Sequence, residues 1–166
     1  MPNPVLFSES FGNNTSSARE WSDSYKDQGG ISSVYSGSTY TITNAKQSKH
    51  TVGQKNSGLI QTTKDIDAIF EIKGLNVAAY SDLSVSYYWK AASIKGTYST
   101  SLYYSTDGGA TYTEVEKTSG TGATTFVEVT YTLPADAVLS NLCLKVVFNT
   151  SNAQAFIDEF VLKGTK

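Results

Sequence analysis

Leu83-Ser84-Val85-Ser86-Tyr87-Tyr88-Trp89-Lys90 is the stretch on which the reading of this chain turns. Leu83, Val85, Tyr87 and Trp89 alternate with Ser84, Ser86, Tyr88 and Lys90, so the first four share one face of an extended strand and the second four share the other. A helix would not produce a period of two, and the stretch predicts a half-buried β-strand.

The same alternation recurs along the chain. Upstream, Ile66, Ala68, Phe70 and Ile72 fall on one face, against Asp67, Glu71 and Lys73, with Ile69 among them. Downstream, the segment from Tyr98 to Ser105 carries Leu102 and Tyr104 on the expected core face and Ser99, Ser101 and Tyr103 on the other, and it is expected to pair with the strand at Leu83. Val127, Val129, Tyr131 and Leu133 form another strand, stopped by Pro134, which cannot donate to a ladder. Leu142, Leu144, Val146 and Phe148 form the next. From Ala155 to Leu162, the positions of Ile157, Phe160 and Leu162 break strict alternation and predict a bulge near Asp158. Near the N-terminus, the β-prone run from Val5 to Phe11 is closed by the turn-forming Gly12-Asn13-Asn14. From Thr15 to Asn56 the sequence is polar and mostly loop, with brief β-prone pieces at 33–35 and 39–43.

Apart from the short segment from Ala135 to Leu139, no stretch of helical period exceeds a turn or two. Seven or more strands, each with one apolar face and bounded by turn signals, predict an all-β chain folded as a two-layer antiparallel β-sandwich. A length of 166 residues, 39% of them hydrophobic, matches a single domain over 1–166 with one packed core.

Composition narrows the function classes. The net charge of −2, the isoelectric point near 5.3 and the scattered lysines leave no footprint for nucleic acid. No apolar run approaches the roughly 20 residues needed to span a membrane. Cys143 is the single cysteine, which excludes an internal disulfide or a cysteine-based zinc cluster. Ser, Thr, Asn, Gly and Tyr dominate and charged residues are only 17%, which points to an extracellular protein, secreted or held at a cell surface. Met1-Pro2-Asn3-Pro4 lacks the basic and apolar regions of a signal peptide and reads as a mature fragment with an added start.

Ser105-Thr106-Asp107-Gly108-Gly109-Ala110-Thr111-Tyr112 matches an Asp-box, whose physics is that of a hairpin. Asp107 accepts from turn amides, Gly108 and Gly109 supply positive φ, and Tyr112 packs on the turn. Asp-boxes recur in sialidase propellers, but such a propeller repeats the motif, and here it occurs once. The reading is structural. Glu9, Glu71, Glu114, Glu128, Asp158 and Glu159 sit in no distinctive hydrolase motif, and the lone His50 lies in a polar loop. Catalytic residues are therefore expected to be absent, with Cys143 an inert strand residue.

Phe7-Ser8-Glu9-Ser10-Phe11-Gly12, the downstream Trp21, and Ala155-Phe156-Ile157-Asp158-Glu159-Phe160-Val161-Leu162 resemble the jelly-roll carbohydrate-binding modules of the galactose-binding-like class, and related β-sandwich domains of bacterial surface and secreted proteins. The resemblance implies that the first and last strands lie together. It also implies a structural calcium held by Glu9 and Asp158, with loop carbonyls and water completing its six to eight oxygen ligands. The function it implies is non-catalytic binding of a polysaccharide or oligosaccharide, with other domains of a larger surface protein as neighbours. The alternative is a structural or adhesion domain that binds protein or spaces other modules, and a jelly-roll hydrolase or lyase comes third.

Sugars present apolar C–H faces with a rim of hydroxyls, so exposed aromatic rings beside polar side chains are the expected ligand groups. Tyr88 and Tyr103, on the faces opposite the predicted core, would form one platform with Lys90 if their strands pair. Trp21 and Tyr25 in the long polar loop are the remaining candidates.

Overall fold

The computed structural model describes residues 4–12, 19–20, 22, 34–35, 40–48, 59–91, 93–121 and 125–166. Twelve strands run through them: β1 (Val5–Glu9), β2 (Arg19–Glu20), β3 (Tyr40–Thr43), β4 (Lys46–Ser48), β5 (Leu59–Thr63), β6 (Ala68–Leu75), β7 (Ser81–Ala91), β8 (Thr97–Ser105), β9 (Thr113–Thr121), β10 (Val127–Thr132), β11 (Leu142–Thr150) and β12 (Gln154–Thr165). The only helical piece among the described residues is a single 3-10 turn, Ala135–Ala137, after Pro134. No described helix is long and apolar enough to cross a membrane.

The strands form two antiparallel sheets. One is seven-stranded, ordered β10-β7-β12-β5-β4-β2 with β1 also paired to β12; the other is five-stranded, ordered β3-β6-β11-β8-β9. Each alternating strand contributes one face to the layer between them. Leu83, Val85, Tyr87 and Trp89 of β7, Leu102 of β8, and Leu144, Val146 and Phe148 of β11 are all buried, as their period predicts. At one end of this layer the core is aromatic. Phe70 meets Phe160 at 4.9 Å and Phe11 at 5.4 Å, and Phe7 meets Phe160 at 6.2 Å, all edge-to-face. Each such pair adds about 0.5–1.5 kcal/mol beyond its area burial.

β12 organises the seven-stranded sheet. It keeps β7 along one side, while its other side pairs first with β5, at Gln154 to Ile157, and then with β1, at Phe160 to Lys163. The expected adjacency of first and last strands is therefore present. The bulge is present too: register shifts between Asp158 and Val161, and Glu159 adopts φ 53°. Close packing constrains this strand further at Gly164, where a Cβ would stand 2.8 Å from Leu83 Cδ2.

Three expectations are corrected. β7 and β8 do not pair: β7 lies between β10 and β12, and β8 lies in the other sheet between β11 and β9. The short connection between them crosses from one layer to the other, which period-two alternation cannot reveal. Ile66 precedes β6 and is 42% exposed, because the chain is still turning there. Val127 opens the edge strand β10 and is 44% exposed, so of its expected apolar face only Tyr131 and Leu133 are buried.

Candidate functional site

The Asp-box closes the β8–β9 hairpin. Asp107 Oδ1 accepts from Ser105 Oγ at 2.6 Å and from the Thr111 N–H at 2.9 Å, while Oδ2 accepts from Thr111 Oγ1 at 2.5 Å. These bonds, Ser105 first, hold the Asp107 carboxyl well below the usual range. Gly108 and Gly109 take φ of 77° and 93°, and the Tyr112 hydroxyl, which donates to Glu71 Oε2 at 2.6 Å, lies over Gly109. The carboxylate is spent on its own turn, which fits a structural role.

Tyr88 and Lys90 lie on the outer face of the seven-stranded sheet because their neighbours Tyr87 and Trp89 point into the core. Lys90 stands opposite Phe156 of β12, and Tyr88 stands between Glu128 of β10 and Asp158 of β12. The Lys90 ammonium sits 5.0 Å from the Phe126 ring centre and 5.3 Å from that of Phe156, and Phe126 meets Tyr88 edge-on at 6.4 Å. The Lys90 pKa is lowered by partial burial. Tyr88 is pushed up by hydrogen bonding to Glu128, then by desolvation and by the charges of Glu128 and Glu159. The result is a patch of rings, one cation and carboxylates on a sheet face. Phe126 and Phe156 were not expected in it. Phe156 is 6% exposed, beneath Lys90, and its place follows from cross-strand register, which one sequence does not give.

Tyr103 is elsewhere. It lies on the outer face of the five-stranded sheet, so it cannot share a platform with Tyr88, and the joint platform is overturned by the separation of β7 from β8. There Lys145, its cross-strand neighbour, lies 5.1 Å from the Tyr103 ring centre and 4.2 Å from that of Tyr112. Burial, and then the bond to Glu71, raise the Tyr112 pKa well above normal. Trp21 and Tyr25 lie outside the described residues, as does His50.

Glu9 and Asp158 are both completely buried. Glu9 stands opposite Phe160, and Asp158 lies two residues before Phe160 on β12, beside the bulge. Glu9 Oε1 accepts from the Phe11 N–H at 2.6 Å and Oε2 from the Tyr40 hydroxyl; Asp158 Oδ1 accepts from the Glu159 N–H at 2.8 Å. Phe11 has φ 61°, and its carbonyl accepts from Gln47 Nε2 at 2.6 Å. Buried carboxylates need hydrogen bonds, counter-charges or a metal. Their hard oxygens suit calcium in donor type. Among the described residues no cluster of three or more Asp, Glu, His or Cys side chains stands together, so carbonyls and water would have to complete such a shell. Cys143 is buried and its thiol is pushed up chiefly by burial, as expected of an inert strand residue.

No family model matches this sequence, and no curated protein does. Solved structures do. The xylan-binding CBM22-1 domain of Paenibacillus barcinonensis Xyn10C superposes with a TM-score of 0.56 at 15% identity, covering 99% of this chain and 96% of that one. TmCBM61, solved in complex with β-1,4-galactotriose, gives 0.53 at 16% identity over 75% and 87%. The K1 cleaved adhesin domain of the Lys-gingipain of Porphyromonas gingivalis W83 gives 0.58 at 13% identity over 79% and 94%. At these identities the likeness establishes the fold alone, an all-β jelly-roll sandwich like that of these carbohydrate-binding modules and of the adhesin domain.

Proposed function

We propose that this chain is a carbohydrate-binding module that holds a polysaccharide or oligosaccharide without cleaving it, as part of a secreted or cell-surface bacterial protein. The observation that carries the reading is the ring patch around Lys90 on the outer face of the seven-stranded sheet, with Tyr88 and Phe126 half-buried and Phe156 beneath. A sugar ring would lay its C–H face on the aromatic surface, while Lys90, Glu128 and Glu159 meet its hydroxyls. The fold supports the reading through its xylan-binding and galactotriose-bound neighbours. Tyr103, Tyr112 and Lys145 offer a second face of similar chemistry on the opposite sheet.

Calcium belongs to the same proposal. Bound by Glu9 and Asp158, it would neutralise two buried carboxylates and fasten β1 and β12 at the point where β12 changes partner.

The test is retention on a panel of insoluble polysaccharides and in gels containing soluble xylans and galactans, with product analysis alongside. Retention without product, lost in Tyr88→Ala, supports the module. A wild-type chain that nothing on the panel retains turns the reading toward an adhesion or spacer domain, and reproducible cleavage contradicts the non-catalytic assignment.

A further inference from the structure

The two sheet faces are not the whole of the described surface. A cavity of about 380 Å³ lies where the chain twice crosses between the sheets, from β3 to β4 and from β5 to β6. Its lining includes Glu20, Ile42, Asn44, Lys46, Thr63 and Ile66.

The crossings are braced against each other. Asn44 turns the first corner at φ 58° and donates from Nδ2 to the Asp67 carbonyl at 3.2 Å, tying one crossing to the next. In the second, Thr62 Oγ1 donates to the Ile66 carbonyl at 3.0 Å, and the Asp65 N–H to the Thr150 carbonyl at 2.8 Å. The cavity is therefore pre-formed, which lowers the cost of filling it.

Its chemistry is divided. Ile66, 42% exposed, and the partly buried Ile42 supply apolar wall. Lys46 Nζ and Glu20 Oε1 stand 3.2 Å apart with more than half of each side chain exposed, a weakly held pair that can turn toward a ligand. Asn44 keeps its Oδ1 as an acceptor, and Thr63 adds a hydroxyl. The opposite charges cancel, so the cavity favours a neutral guest with one apolar face and a rim of hydroxyls. Its volume falls near the lower end of the roughly 300–1,000 Å³ of ligand pockets, enough for one or two pyranose rings.

We propose that this corner cavity is a second saccharide site, separate from the sheet face, which takes a neutral mono- or disaccharide or the end of a longer chain. The proposal rests on the glycan-binding reading above and adds a ligand geometry to it: the sheet face would accommodate the middle of a chain, whereas the corner accommodates an end.

The experiment is an amide-resolved NMR titration of the full chain with galactose, glucose, xylose and their β-1,4-linked disaccharides. At least one sugar should shift the Asn44, Lys46, Thr63 and Ile66 amides. Ile66→Asp, whose exposure spares the core, and Lys46→Ala should each weaken that response about tenfold or more, while Tyr88→Ala leaves it in place. Silence at these amides with every sugar, or wild-type affinity in both corner variants, overturns the site. Tyr88-dependent polysaccharide retention with a silent corner refutes this site alone, and silence in both assays refutes the glycan reading as well.

Discussion

Replacing Thr100 by Val exchanges one buried hydroxyl inside the sandwich for a methyl group of similar size. Tyr87 of the seven-stranded sheet and Thr100 of the five-stranded sheet are both fully buried, and their hydroxyls lie 2.5 Å apart across the gap between the layers. Thr100→Val keeps the side-chain shape but leaves the Tyr87 hydroxyl without that partner, at a cost of about 1–3 kcal/mol. The hydroxyl of Tyr131, whose ring centre is 6.0 Å from that of Tyr87, offers partial relief, so a loss of about 1–2 kcal/mol is expected. Tyr87→Phe strands the Thr100 hydroxyl and should cost a similar amount. The double variant strands neither group and should lie within about 1 kcal/mol of wild type. At about 2–4 °C per kcal/mol for a chain of this size, each single variant melts roughly 2–8 °C lower. Urea denaturation of the four proteins closes the cycle, with an expected coupling of about 1–4 kcal/mol. Additive losses would show that the two hydroxyls do not meet and that the sheets are not stitched at this point.

Alkaline stability follows from the same phenols. Burial raises the pKa of Tyr87 and Tyr131 above the ordinary 10.0, so the stability they contribute is complete below about pH 10 and is lost as the pH rises toward their folded values, because only the unfolded chain ionises there. The unfolding free energy from urea titrations should fall above pH 10 at up to about 1.4 kcal/mol per pH unit per phenol, and more gently in Tyr87→Phe; an unchanged slope in that variant contradicts the burial. Leu102→Ala, in the middle of β8, should cost about 2–5 kcal/mol, whereas Val127→Ala, on the exposed edge, should stay within about 0.5 kcal/mol; equal losses in thermal melts would contradict the layering. Chelator should lower the melting temperature of the wild type but not of Glu9→Gln or Asp158→Asn, and a wild-type curve indifferent to chelator refutes the calcium proposal.

What could be read from the sequence was whatever repeats locally. Period two in 83–90 identified the inner face of β7, and the broken alternation after Ile157 placed a bulge near Asp158, where the register shifts between Asp158 and Val161. The Asp-box gave its hairpin because its hydrogen bonds close within seven residues. β9 left little trace, since it is an edge strand none of whose residues is buried and so carries no apolar signal. The pairing of β7 with β10 and β12, which brings Lys90 over Phe156, depends on register between distant segments, and alternation gives a side chain its face but not its neighbours. The same limit joined Tyr103 to Tyr88 when they belong to opposite outer faces.

The central claim, a glycan-binding face built on Tyr88, is tested most directly by comparing polysaccharide retention of the wild type, Tyr88→Ala and Tyr103→Ala. Tyr88 is half-buried on the outer face, so its truncation spares the core, and amide spectra verify the fold of each variant. The account predicts that Tyr88→Ala weakens binding by about 1–3 kcal/mol, or roughly 5- to 150-fold, by analogy with stacking on other flat rings, while Tyr103→Ala binds like the wild type. Binding that survives in Tyr88→Ala and disappears in Tyr103→Ala would contradict the account and move the site to the opposite face of the sandwich.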